Sequence, residues 1–217
     1  MIQSINDNTT KASIFYINDF HGKLPNIERV YSASKCFDSF ETSADKLKLS
    51  SGDDTLGEDP LINKVISKLL DMIGITNKVT GNHEFDVTID AHKENAQNAK
   101  YNELGAINIH LNSDNPLKDL LLTSAVEEHN GHKYGILGIG PSDMDKRIKG
   151  GVAKSNLSVD DLNTTIINLQ KEVNKLKSQG IDKIILLSHN GYSNDIKIAQ
   201  EKDDIDDLEV SVDYGKG

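Results

Sequence analysis

The chain has 217 residues, of which 36% are hydrophobic and 27% are charged, a composition typical of one folded α/β domain with a substantial core. Its formal net charge of −10, with arginine only at Arg29 and Arg147, disfavours long-range attraction to nucleic acid, so no nucleic-acid partner is expected. No run approaches the roughly 18 consecutive apolar residues of a membrane helix, so no membrane partner is expected. The lone cysteine, Cys36, excludes an internal disulfide and a cysteine metal cluster, and its helical context predicts a core position.

Apolar runs and amphipathic stretches alternate along the first half of the chain. Residues 12–17, 46–50 and 75–80 have the apolar pattern of buried strands. Between these runs, apolar side chains at helical spacing predict helices over residues 27–40 and 60–73. This alternation of strands and helices predicts an α/β fold.

The second half contains the strongest hairpin signal, Asn130-Gly131 between two extended runs within residues 124–139. An amphipathic helix is predicted over residues 157–178 with Ser158 as its cap, and a central strand over residues 181–187. The remaining predictions are helices at residues 88–100 and 194–200 and a strand at residues 104–109.

Four polar clusters stand where predicted strands end. Because strand ends in an α/β sheet converge on one edge, we expect these clusters to meet there. Asp, His, Asn and Gly gathered at one edge are typical of a metal centre that handles phosphate. The clusters are Asn18-Asp19-Phe20-His21-Gly22, Gly52-Asp53-Asp54, Gly81-Asn82-His83-Glu84-Phe85-Asp86 and Ser188-His189-Asn190-Gly191.

Two of these clusters are weak signals when each is taken alone. Asp19 and His21 are two residues apart, so in extended chain they point the same way and can bind one divalent ion. An unrelated surface pair at a turn is the alternative. After the second strand, Gly52 permits a tight turn and the Asp53 carboxylate can bridge two metals about 3.5–4 Å apart. Asp54 competes with Asp53 for this role or faces solvent.

The hexapeptide at residues 81–86 is the most specific cluster. Asn82 offers a neutral oxygen ligand, while the adjacent His83 points elsewhere and can act as a proton donor. Asp86 can hold the His83 ring in one tautomer. The alternative is a capping turn with Asp86 as the cap of the next helix. His189 contributes an imidazole at the end of the central strand, or else is a buried structural histidine.

Taken in order, these segments resemble the calcineurin-like metallophosphoesterases, and within them the catalytic domain of the 5′-nucleotidases. The likeness extends from about residue 14 to about residue 200. It implies a four-layer α/β sandwich, in which two central β-sheets are flanked by helices. A departure in the last motif, described below, leaves open a fold that is incomplete at its C-terminus. We expect one such domain over residues 1–217, with a polar tail at residues 1–11 and an atypical or truncated end at residues 201–217.

The resemblance also implies a reaction and the residues that carry it. His83, oriented by Asp86, would be catalytic, and Asn82 and His83 would contact the substrate. The implied enzyme hydrolyses phosphomonoesters, with nucleoside 5′-monophosphates as the expected substrates, through a hydroxide that two metal ions activate. The metals would be two divalent ions of manganese, zinc or iron, held by Asp19, His21, Asp53, Asn82 and His189, with Asp53 shared between them.

The chain departs from the family in its last motif, Gly-His-x-His, in which each histidine binds one metal. No histidine follows His189 in this sequence. Two alternatives therefore stay open: a degenerate, non-catalytic domain that binds metal or a partner protein, and a phosphodiesterase that acts on cyclic nucleotides. The N-terminus lacks the apolar region of a signal peptide, which predicts a cytoplasmic location, or a periplasmic or secreted one if a leader has been removed.

Overall fold

The computed structural model describes residues 11–148, 157–201 and 207–210. Strands and helices alternate through the first half of the chain, with short 3-10 turns at Leu24–Asn26 and His83–Phe85. The elements of this half are β1 (Ala12–Ile17), α1 (Ile27–Phe40), β2 (Asp45–Ser50), α2 (Pro60–Ile73), β3 (Asn77–Val79), α3 (Ile89–Asn98) and β4 (Asn102–Leu104).

The second half contributes more strands and the longest of the described helices. Within the described ranges, none of the helices combines the length and the apolar character that a membrane crossing requires. The elements are β5 (Ile109–Leu111), β6 (Leu121–Leu122), β7 (Ser124–His129), β8 (His132–Ile139), α4 (Met144–Arg147), β9 (Leu157–Val159), α5 (Leu162–Ser178), β10 (Lys183–Ser188), α6 (Tyr192–Glu201) and β11 (Asp207–Val210).

Two β-sheets form the centre of the molecule. The first has five strands in the order β1-β2-β3-β4-β6, and every neighbouring pair is parallel. The second has the order β11-β10-β8-β7, with two parallel pairs and an antiparallel β7–β8 hairpin. Strands β5 and β9 form a small antiparallel pair of their own. Parallel strands require crossover connections, which accounts for the helices on the outer faces.

The layers are held together by three hydrophobic contacts. Between the sheets, a buried cluster joins Leu49 and Val79 of the first sheet to Ile136 and Leu187 of the second. Helix α2 packs on the outer face of the first sheet together with α1, and helix α5 covers the outer face of the second sheet with Leu169 at the centre of its contact. The predicted four-layer sandwich of two sheets flanked by helices is therefore confirmed.

The predicted β-hairpin is confirmed. Its turn connects the end of β7 to the start of β8, so it lies at the opposite end of β8 from Ile139. Asn130 and Gly131 both have positive φ, 50° and 84°, as a tight two-residue turn with right-handed strand twist requires. The buried Asp45 carboxylate ties this turn to β2, because it accepts a hydrogen bond of 2.7 Å from the Asn130 amide. Asp45 also accepts hydrogen bonds from Tyr134 Oη and His132 Nδ1.

The ends of α2 and α3 show how short sequence signals determine helix limits. The Asp59 side chain accepts hydrogen bonds from the first turn of α2, Pro60 is its first residue, and Gly74 ends it in a left-handed conformation. Helix α3 is capped by the Thr88 hydroxyl. The alternative in which Asp86 caps this helix is therefore wrong.

Three further predictions are wrong. The helix predicted from residue 157 begins at Leu162 under an Asp161 cap, because residues Leu157–Val159 pair with β5 instead. The strand predicted at residues 104–109 ends at Leu104, where Gly105 turns the chain with a φ of 152°. Cys36 is exposed, because its place in α1 faces away from the apolar side that packs on the first sheet.

The inter-layer packing makes a direct prediction about stability. Leu186 on β10 is fully buried against α5, so Leu186→Ala should lower the free energy of unfolding by about 2–5 kcal/mol. Ile167→Ala is the matched control, because Ile167 lies on α5 with 56% of its surface exposed and should change the value by less than about 0.5 kcal/mol. Urea denaturation measures both, and equal losses would contradict the proposed layer order.

Candidate metal centre

The four polar clusters come together at the carboxyl ends of the strands. The turn after β1 lies against the turn after β2, because Asp19 N donates to Gly52 O and His21 N donates to Asp53 O, at 2.9 and 3.0 Å. His189 follows β10, and its backbone N–H donates to Ile139 O at the end of β8. This convergence brings Asp19, His21, Asp53, His83 and His189 into one pocket.

The Asp53 carboxylate is the centre of this pocket. Its Oδ2 atom lies 3.1 Å from His189 Nε2, 3.5 Å from His21 Nε2 and 3.9 Å from His83 Nε2. Its Oδ1 atom accepts a hydrogen bond of 2.9 Å from His83 N. Asp19 Oδ1 lies 3.4 Å from His21 Nε2 on the partly exposed side of the pocket.

Two of the imidazoles are held by their Nδ1 atoms. His189 Nδ1 lies 2.7 Å from the carbonyl oxygen of Ser51, which can only accept, so His189 carries its hydrogen on Nδ1. His83 Nδ1 lies 2.7 Å from Asp86 Oδ2, a carboxylate oxygen that accepts, so His83 also carries its hydrogen on Nδ1. In their neutral forms both rings therefore direct the Nε2 lone pair at Asp53 Oδ2. A lone pair facing a carboxylate oxygen is repulsive unless a proton or a metal cation lies between them.

These donors form two groups that could hold a metal ion. One consists of His21, Asp53 and His83, and the other of Asp19, Asp53 and His189, with the donor atoms of each group within 4.8 Å of one another. Asp53 belongs to both groups. Mixed carboxylate and imidazole donors suit manganese, zinc and iron alike.

Asn82 stands directly before His83 and offers a neutral oxygen. Its side chain is buried, and Oδ1 has no hydrogen-bond partner among the described residues. A buried amide oxygen without a partner carries a free-energy cost that a bound cation would remove. The donors present therefore fit a divalent cation in chemistry and in arrangement.

The charges of the pocket favour added positive charge. The carboxylates of Asp19 and Asp53 raise the pKa of His21 to about 9. Burial by itself lowers the pKa of His189, but its contact with Asp53 raises the pKa to about 9 overall. Burial likewise raises the pKa of Asp53, yet His189 and His21 together hold it well below its ordinary value. Protons and metal ions would therefore compete for these imidazoles.

Three of the site residues have unusual backbone conformations. Asp19, His21 and Asp53 have φ values of 49°, 51° and 52°, in the left-handed region that costs an L-residue about 1–2 kcal/mol. Among the described non-glycine residues, the other positive φ belongs to Asn130 in the hairpin turn. Strain concentrated at a cluster of polar side chains points to a functional site.

No protein-family model matches the sequence. Among curated proteins, the chain is 29% identical over 138 residues to a probable 5′-nucleotidase of Treponema pallidum, a match that covers 64% of this chain and 22% of that protein. It is 30% identical over 146 residues to the 5′-nucleotidase of Mus musculus, over 65% of this chain and 24% of that protein. The chain thus spans about a quarter of the length of these curated relatives.

Solved structures share the fold over nearly the whole chain. A 5′-nucleotidase precursor from Thermus thermophilus superposes with a TM-score of 0.78 and 21% identity, covering 91% of this chain and 41% of the other. A calcineurin-like phosphoesterase from Bacillus subtilis superposes with a TM-score of 0.71 and 16% identity, covering 93% and 72%. The chain has the fold of the calcineurin-like phosphoesterases, and its sequence is similar to those of 5′-nucleotidases. The predicted resemblance to the 5′-nucleotidase catalytic domain is confirmed.

Glu84, which the sequence patterns did not single out, organises the turn that carries Asp53. Its Oε2 atom accepts from Asp53 N at 3.1 Å and from Gly81 N at 2.8 Å, and its Oε1 atom accepts from Asp54 N at 3.0 Å. Glu84 is 3% exposed, and its acidic side chain behind an apolar strand was the signal that could have identified it. The segment of residues 81–86 therefore supplies a backbone anchor, Glu84, in addition to Asn82 and His83.

The alternative in which Asp54 faces solvent is wrong. Asp54 is fully buried, and its Oδ2 atom accepts a hydrogen bond of 2.7 Å from Ser50 Oγ. Burial raises the pKa of Asp54 to about 6. Asp54 thus lies beneath the pocket, while the neighbouring Asp53 side chain is directed into it.

Asp53 also requires a glycine at residue 81. A Cβ atom at Gly81 would lie 2.1 Å from Asp53 Oδ1, which is well inside contact distance. Gly81→Ala should therefore displace this carboxylate and weaken Mn²⁺ binding about 10–100-fold, as measured by isothermal titration calorimetry.

The matched control for this substitution is Gly131→Ala in the hairpin turn. Gly131 has a φ of 84° with nothing within 4 Å of the added Cβ, so the change costs about 1–2 kcal/mol of stability through backbone strain alone. Its Mn²⁺ affinity should equal that of the wild type. Wild-type affinity in Gly81→Ala would contradict the role given to the Asp53 carboxylate.

Proposed function

We propose that the chain is the catalytic part of a metal-dependent phosphomonoesterase that acts on nucleoside 5′-monophosphates. The observation that carries the proposal is the pair of donor groups that share Asp53, one of which includes His83, whose ring Asp86 orients. The matches to proteins named 5′-nucleotidase support the choice of substrate class.

Each residue has a role that follows from its position. Asp53 and His21 would hold one cation, and Asp53, Asp19 and His189 would hold the other, which leaves His83 of the first donor group for the substrate. Asn82 would complete one set of donors with its unpartnered Oδ1 atom. When bound, two divalent cations would supply the positive charge that a phosphate dianion requires and a water of lowered pKa as nucleophile.

His83 is the candidate for proton transfer to the leaving group. Asp86 Oδ2 accepts from Nδ1, and it also accepts a hydrogen bond of 3.1 Å from Gly57 N, so Asp86 is itself held in place. The ring is partly exposed, which leaves Nε2 accessible to a substrate at the mouth of the pocket. As an imidazolium, His83 can give the Nε2 proton to the departing alkoxide. As a neutral ring, His83 has only a lone pair at Nε2, so it can bind a phosphoryl oxygen only through a group that donates a hydrogen bond to both.

The charge of the pocket agrees with a reaction that needs bound cations. In the metal-free pocket, the negative charges of Asp19 and Asp53 are balanced by His21 and His189, whose pKa values are raised to about 9. The pocket therefore offers a phosphate dianion no net positive charge, in a protein of formal net charge −10. Two divalent cations in place of these two protons would give the pocket the net positive charge that a phosphate dianion requires. The activity should therefore be lost on chelation and restored by added metal.

The test is phosphate release from a nucleoside 5′-monophosphate and from p-nitrophenyl phosphate, after chelation and addition of Mn²⁺ or Zn²⁺. His83→Ala should lower kcat about 10²–10⁴-fold, because it removes the proton donor. The control is His129→Ala, since His129 lies at the hairpin end of β7, the edge opposite the pocket, and its removal should leave kcat unchanged.

A folded wild-type chain that releases no phosphate with either metal would overturn the proposal. Metal binding without turnover would favour the degenerate, metal-binding alternative. Faster hydrolysis of bis-p-nitrophenyl phosphate than of the monoester would instead favour the phosphodiesterase alternative.

A further inference from the structure

A lysine lies fully inside the protein beneath the candidate metal centre. Lys78 is in the middle of strand β3 and is 2% exposed. Its neighbour Val79 faces the core between the two sheets, so Lys78 faces the other side, toward the layer of α2. A buried ammonium group is costly unless opposite charges and hydrogen bonds surround it. The groups around Lys78 Nζ therefore indicate what this buried lysine does.

The ammonium group of Lys78 is surrounded by anionic and π-electron partners. Lys78 Nζ donates to Glu84 Oε1 at 3.0 Å and lies 3.9 Å from Asp54 Oδ2. It also lies 5.6 Å from the centre of the Tyr101 ring, within the range of a cation–π contact. Glu103, a further buried carboxylate, lines the same small cavity as Lys78 and Glu84. Lys78 thus supplies positive charge to several buried carboxylates.

The contact with Glu84 connects Lys78 to the metal centre. The carboxylate of Glu84 that binds Lys78 also accepts hydrogen bonds from the backbone N–H groups of Asp53 and Asp54, at 3.1 and 3.0 Å. Those N–H groups belong to the turn in which Asp53 has a φ of 52°. The strained turn is therefore held by an anion, and that anion is held by Lys78.

We infer that Lys78 is a positioning residue for the metal centre, which acts through Glu84 on the backbone of Asp53. Without the ammonium group, the Glu84 carboxylate would share a buried region with Asp54 and Glu103 and no adjacent lysine. Repulsion among these side chains would then displace Glu84 and weaken its hydrogen bonds to the turn. The Asp53 carboxylate would lose its orientation. This inference rests on the proposed metal-dependent function.

The test compares Lys78→Met with the wild type in titrations with Mn²⁺ after chelation. Methionine matches the length of the lysine stem and removes the charge. Mn²⁺ affinity should fall about 10–100-fold, the range seen when a group behind a metal ligand is lost. Titration calorimetry gives the dissociation constant, and a thermal melt of the metal-free protein gives stability separately.

Lys48→Met provides a matched control on the neighbouring strand β2. Lys48 is a part-buried lysine whose Nζ atom lies 2.6 Å from Asp38 Oδ1 and donates to Ser34 Oγ and Ile73 O at 2.8 Å. Lys48 thus connects β2 to helices α1 and α2. Its loss should lower the melting temperature and leave Mn²⁺ affinity unchanged.

A lower melting temperature with wild-type Mn²⁺ affinity in Lys78→Met would overturn the inference. Lys78→Gln is the second variant, because it retains a donor for Glu84 without the charge and should show an intermediate affinity. If neither variant folds while the wild type and Lys48→Met do, Lys78 belongs to the folding core and the inference is overturned. If the wild type binds Mn²⁺ and releases phosphate, a failure of the Lys78 inference leaves the proposed function standing. If the wild type does not bind Mn²⁺, the proposed function and the Lys78 inference are both overturned.

Discussion

The attraction between the Asp53 carboxylate and the groups around it is the constraint on which the site depends. Three imidazole Nε2 atoms lie within 4 Å of one of its oxygens, and the backbone of His83 donates to the other. A carboxylate so enclosed repels the neutral lone pairs that face it, so the arrangement is stable only with positive charge among these atoms. This requirement explains the raised pKa values of His21 and His189 and the fit to divalent cations.

The fold brings this carboxylate to its place through the ends of parallel strands. Strands β1, β2 and β3 are neighbours in one sheet and β10 lies in the other, so residues far apart in sequence meet at one edge. The turn after β1 is hydrogen-bonded to the turn after β2 through backbone groups. Such main-chain contacts allow the side chains of Asp19, His21 and Asp53 to point into the pocket.

Beneath the pocket, the groups that orient Asp53 lower the stability of the protein. Buried ion pairs such as Lys78–Glu84 seldom add to stability, because removing both charges from water costs as much as their attraction returns. The left-handed conformations at three site residues add a further cost. Stability comes instead from the apolar layers between the sheets and under α2 and α5. The site is thus destabilised locally and supported by the sandwich around it.

The sequence by itself determined the alternation of strands and helices, the hairpin at Asn130-Gly131 and the polar clusters at strand ends, because these depend on periodicity and on local turn chemistry. It also identified the side chains that meet in the pocket. Only the tertiary structure decided that residues 157–159 form a strand, since a pairing partner at residues 109–111 overrides helical periodicity. It likewise decided that Asp54 is buried and that Glu84 and Lys78 support the turn. Charged residues are usually exposed, and their burial here depends on partners from other segments, which no local pattern records.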